Sequence, residues 1–81
     1  MLKLEVKTTL SQQEIMNRAR RHFGEGGLGL HLTEESPQCL NFEGGGGYVS
    51  ATVCEEGGET RVDLVTQEWD YHVKEFASKI P

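Results

Sequence analysis

The chain has 81 residues, 36% of them hydrophobic and 26% charged, and thirteen acidic against eight basic side chains leave a net charge of −5. That length supplies one hydrophobic core and excludes a second, and the composition is that of a water-soluble globule rather than a bilayer span or a disordered tail. The negative long-range field repels phosphate backbones and anionic lipid surfaces, so nucleic acid and membrane are excluded as expected partners.

The first element is a strand. Leu2, Leu4 and Val6 alternate with Lys3, Glu5 and Lys7, the period of two expected when one face is buried and the other wet. The same charges interrupt what a secretory leader would need as an apolar run, so the sequence reads as cytoplasmic. Ser11, Gln12, Gln13 and Glu14 then have the form of a capping box, with Leu10 and Ile15 as its hydrophobic staple. Ile15, Met16, Ala19 and Phe23 fall on one stripe of the helix that follows. Arg18, Arg20, Arg21 and His22 sit toward the negative end of its dipole, and Gly24 is expected to supply a left-handed stop.

Leu28, Leu30 and Leu32 alternate with Gly29, His31 and Thr33 and predict a second half-buried strand, broken by residues Glu34 to Pro37. Leu40 and Phe42 point inward from a short third strand. The Gly44 to Gly47 run predicts a mobile hairpin tip, and Val49, Ala51 and Val53 form the inner face of a fourth strand. After the turn at Glu55 to Glu59, Val62 and Leu64 carry a fifth strand inward. Thr66 is placed to cap a last helix whose buried stripe is Trp69, Val73, Phe76, Ala77 and Ile80, with Asp70–Lys74 and Glu75–Lys79 as exposed ion pairs.

Residues 1–81 thus form a single α+β domain of β-α-β-β-β-β-α order. Short connections make the last four strands an antiparallel meander, and the helical crossover carries the chain from the first strand to the far edge. The predicted sheet order is 1-5-4-3-2, with both helices on one face. This order of elements resembles a repeat of the TATA-binding-protein fold and a shortened helix-grip domain of the START or polyketide-cyclase type. The resemblance covers the whole chain as topology and brings no residue motif, so no family site is carried over. It implies either an open sheet face used for binding or an apolar ligand held between sheet and last helix.

The chemistry-bearing features are few. Gly24-Glu25-Gly26-Gly27-Leu28-Gly29 matches G-x-G-x-x-G, but it leads from a helix into a strand, so no helix N-terminus is aimed at a phosphate. The four consecutive glycines lack the lysine and hydroxyl of a phosphate loop. Cys39, Cys54, His22, His31 and His72 show no paired metal-ligand spacing, although the two cysteines face the same side of neighbouring strands; reduced thiols are expected. No nucleophile and base are signalled together, so no catalytic residue, metal or cofactor is expected.

The uncovered face of the sheet is the main candidate surface, with His31, Tyr48, Ser50, Thr52, Arg61, Asp63 and Val65 as its central residues and Lys3, Glu5, Lys7, Thr33 and Asn41 around them. Plain solvation of one face of an antiparallel sheet is the alternative. The face lacks the phenylalanine wedges and positive field of a minor-groove binder. The sequence therefore favours a non-catalytic module that binds a protein partner or forms a homodimer. The second reading is a small apolar ligand in a groove at Trp69, Tyr71 and Phe76.

Overall fold

A computed structural model describes residues Met1–Pro81. Seven elements follow in order: β1 (Leu2–Thr8), α1 (Gln12–Phe23), β2 (His31–Glu35), β3 (Cys39–Gly44), β4 (Gly47–Glu56), β5 (Glu59–Gln67) and α2 (Asp70–Ser78). The strands make one five-stranded sheet in the order β1-β5-β4-β3-β2, antiparallel throughout, which is the order the sequence predicts.

Alternation along the strands sets which side is dry. Val49, Ala51 and Val53 of β4, Val62 and Leu64 of β5, and Leu40 and Phe42 of β3 are buried. They join Ile15, Met16, Ala19 and Phe23 of α1 and Val73 and Phe76 of α2 in one cluster of 15 residues. Leu2, Leu4 and Val6 reach that cluster from an edge strand and stay half-exposed. Burying each large member of such a core stabilises the fold by about 1.5–3 kcal/mol, so a small domain depends on all of them.

The entry to α1 realises half of a capping box. Ser11 Oγ accepts from the Glu14 N–H at 3.1 Å, but the Glu14 carboxylate turns along the helix to Arg18 at 3.0 Å instead of back to Ser11. At the exit, Gly24 is not left-handed: its φ is −88°, and its N–H donates to the Arg20 carbonyl at 3.0 Å. A Cβ there would lie 2.7 Å from the same carbonyl oxygen, which accounts for the glycine.

The second strand starts later than expected and is fully exposed. Leu28 N–H donates to His22 O and Leu30 N–H to Phe23 O, so these residues close the end of α1 rather than pair in the sheet. Leu30 is buried, Leu28 is half-buried and Leu32 is 42% exposed, so the predicted inward leucine row is only partly realised. The strand also runs through Glu34 and Glu35 instead of breaking there. A register shift between Leu32 and Glu34 leaves Glu35 on the helix side, where Arg20 Nε donates to it at 2.9 Å. That ion pair ties the edge strand to α1.

The glycine run is a tight turn rather than a mobile tip. Gly44 pairs with Gly47, leaving Gly45 (φ 59°) and Gly46 (φ 82°) as a two-residue hairpin turn whose positive angles suit the strand twist. A Cβ on Gly45 would lie 2.7 Å from the Trp69 ring, and one on Gly44 would lie 2.7 Å from Leu30 Cδ2. Close packing selects glycine at Gly44, the left-handed backbone selects it at Gly46, and both act at Gly45.

Thr66 does not cap α2. It is an inward residue of β5, fully buried, and its hydroxyl donates to the Tyr48 carbonyl at 2.6 Å. The chain instead reverses through Glu68 (φ 79°), and Trp69 occupies the N-cap position without a side-chain bond to the helix. The Asp70–Lys74 and Glu75–Lys79 pairs do not form; Glu75 turns to His22, 3.8 Å away.

Candidate functional site: the uncovered face of the sheet

With both helices packed on one layer, the outward residues of five strands form a continuous polar face. Cross-strand register arranges it in rows. Gln67, Tyr48, Glu43 and His31 lie across β5, β4, β3 and β2, and Lys3, Val65, Ser50, Asn41 and Glu34 form the next row. Glu5, Asp63, Thr52 and Cys39 follow, then Lys7, Arg61 and Cys54. All seven central residues expected from the sequence therefore share one face: His31 is exposed at the edge, while Tyr48, Ser50, Thr52, Arg61, Asp63 and Val65 are half-buried among their neighbours.

Charge is divided unevenly across this face. On β1, Lys3 and Lys7 flank Glu5. Arg61 on β5 is held between Glu56 at 3.0 Å and Asp63 at 3.3 Å, and those two carboxylates raise its already high pKa. The central strand β4 contributes Tyr48, Ser50, Thr52 and Cys54. Across the sheet, Glu43 on β3 and Glu34 on β2 face outward with no lysine or arginine among the outward residues of either strand. Asn41 orients Glu34, its Nδ2 donating at 2.7 Å. The edge strand β1 thus carries two lysines against one glutamate and the opposite edge is acidic, with the Arg61 ion-pair cluster and the uncharged Tyr48, Ser50 and Thr52 between.

The same face has a shallow groove of about 820 Å³ at its glycine-turn end, bounded by His31, Thr33, Glu43, Tyr48 and Gln67. Cys39 and Cys54 are diagonal neighbours on the face, because Cys39 pairs with Thr52, two residues before Cys54. Both thiols are free, and Cys39 Sγ lies 3.8 Å from Thr52 Oγ1. No three histidine, cysteine or acidic side chains are grouped as a metal would need.

The second expected site is not brought together. Phe76 is a core residue stacked near Phe23 and His22; Trp69 covers the Gly44–Gly45 turn; Tyr71 is 69% exposed, with its edge toward His72. Phe76 lines a cleft to which neither Trp69 nor Tyr71 contributes. This cleft of about 370 Å³ lies on the helical layer, lined by Arg18, Arg21 and His22 of α1 together with Phe76, Lys79 and Ile80. Its signal in the sequence is a shared spacing: each set falls at positions i, i+3 and i+4, one stripe of a helix. Reading the arginines only as partners of the helix dipole hid it.

The chain is a two-layer α+β domain with one sheet face bare, and no helix is long and apolar enough to cross a membrane. No protein-family model matches it, and no curated protein matches it either.

Proposed function

We propose that this domain is a non-catalytic self-association module that pairs with a second copy of itself through the uncovered face of the sheet. The supporting observation is the division of charge across that face, basic at β1 and acidic at β2 and β3. A twofold axis running along β4 lays β1 of one copy over β2 of the other and keeps each row level, so Lys3 meets Glu34 twice over. An isologous contact requires such self-complementarity. Ser50 and Thr52 lie at the centre, where small side chains let two sheets approach face to face.

Sedimentation at low ionic strength tests this reading. A dimer that dissociates as salt is raised is expected, since its rim pairs are exposed to screening. A chain that stays monomeric at high concentration and low salt overturns it.

A further inference from the structure

The cleft on the helical layer lies on the opposite side of the molecule from the sheet face, and the self-association reading does not use it. Its lining has two parts. The floor is apolar: Phe76 is 3% exposed and Ile80 9%. The His22 ring packs on both Phe23 and Phe76, with centroids at 4.9 and 5.4 Å. The rim is cationic: the Arg21 side chain is 73% exposed, Lys79 is exposed, and Arg18 sits between them with Nη1 donating to the Lys79 carbonyl at 3.5 Å. No carboxylate lines the cleft itself. Glu14 lies behind the rim, 3.0 Å from Arg18 and 3.6 Å from Arg21, and Glu75 faces His22 from α2.

An acidic protein has thus placed three of its eight basic side chains around one apolar hollow. Arg21 shares Glu14 with Arg18 and has only the longer of the two contacts, and Lys79 has no ion-pair partner, so the rim keeps an excess of positive charge. We propose that this cleft binds a small amphipathic carboxylate, its anionic head between Arg21 and Lys79 and its hydrocarbon body on His22, Phe76 and Ile80. The volume matches the lower end of small-molecule sites, which pair an apolar lining with a few placed polar groups. Burial lowers the pKa of His22 below its ordinary value, which keeps the floor uncharged near neutrality.

The probes are octanoate, its neutral isostere octanamide, acetate and inorganic phosphate, each titrated into the intact chain while amide chemical shifts are followed. Octanoate is expected to bind at least about tenfold more tightly than any of the other three, with the shifts centred on His22, Lys79 and Ile80. The double substitution R21E/K79E changes two exposed side chains, so the fold is retained; octanoate affinity is expected to fall by about tenfold or more. Octanamide binding as tightly as octanoate overturns the proposed role of the rim, and acetate or phosphate doing so overturns that of the floor. Shifts centred on the sheet face, or octanoate affinity unchanged in R21E/K79E, overturn the site itself.

Discussion

The indole Nε1 of Trp69 donates to the carbonyl of Gly44 at 2.9 Å, a bond that joins the start of α2 to the turn between β3 and β4 across 25 residues of sequence. The same indole lies against Gly45, so the turn is fixed by one ring from two directions. Gly45→Ala adds a methyl at positive φ into that ring and is expected to cost about 2–4 kcal/mol, the left-handed penalty plus overpacking. Gly46→Ala meets only open space, so about 1–2 kcal/mol is expected. Trp69→Phe removes the donor and is expected to cost about 1–3 kcal/mol. Urea unfolding midpoints of the three variants check the order, and equal effects at Gly45 and Gly46 would refute the packed turn.

Element order and strand order were legible because they rest on local rules that agree: alternation at Leu2, Leu4 and Val6, the helical stripe of Ile15, Met16, Ala19 and Phe23, and glycine pairs at both hairpins. The uncovered face followed from the same alternation. What was not legible depended on long-range contact. Thr66 has the chemistry of a cap, but its parity in β5 points it inward, and the Tyr48 carbonyl takes its hydroxyl. The leucines after α1 alternate like a strand, yet the open carbonyls of His22 and Phe23 capture their N–H groups first. The helical cleft needs the angle between two helices, which no single stretch of sequence encodes.

That competition at the end of α1 gives a direct contrast between two leucines with the same apparent pattern. Leu30 is 5% exposed and packs at Gly44, whereas Leu32 is 42% exposed on an edge strand. Leu30→Ala is expected to cost about 2–4 kcal/mol, and Leu32→Ala less than about 1 kcal/mol. Thermal or urea melts of the pair decide it, and similar losses at both positions would restore the inward leucine row.

Paired charge reversals test the arrangement of the sheet face more sharply than either substitution alone. The variant K3E sets a glutamate over Glu34 on both sides of the twofold, and E34K sets lysine over lysine, so each alone is expected to lose about tenfold or more in dimer affinity. Mixed together they are complementary along both rims. A heterodimer tighter than either homodimer is therefore expected by sedimentation or native mass spectrometry. Two variants that dimerise like the parent would show that the face is merely solvated, and loss without recovery on mixing would exclude the twofold along β4.

His22 gives the last prediction, from its pH dependence. Burial against Phe23 and Phe76 disfavours the imidazolium and is the largest influence on it. The His72 backbone and Glu75 favour the charged form, while Lys79 and the His72 ring oppose it, and the net effect is a pKa below the ordinary 6.5. The unfolded chain therefore takes up this proton at a higher pH than the folded one. Stability is unaffected by this group well above pH 6.5, falls as pH drops below that value, and stops falling on its account once the folded imidazole is also protonated. His22→Gln removes the titration, so the stability difference between neutral and mildly acidic pH is expected to be smaller in the variant than in the parent. Urea midpoints across that window measure it, with carboxylate contributions cancelling in the comparison. An unchanged slope in the variant would mean that His22 is as readily protonated in the fold as in the open chain, and the floor of the cleft would then be charged in acid.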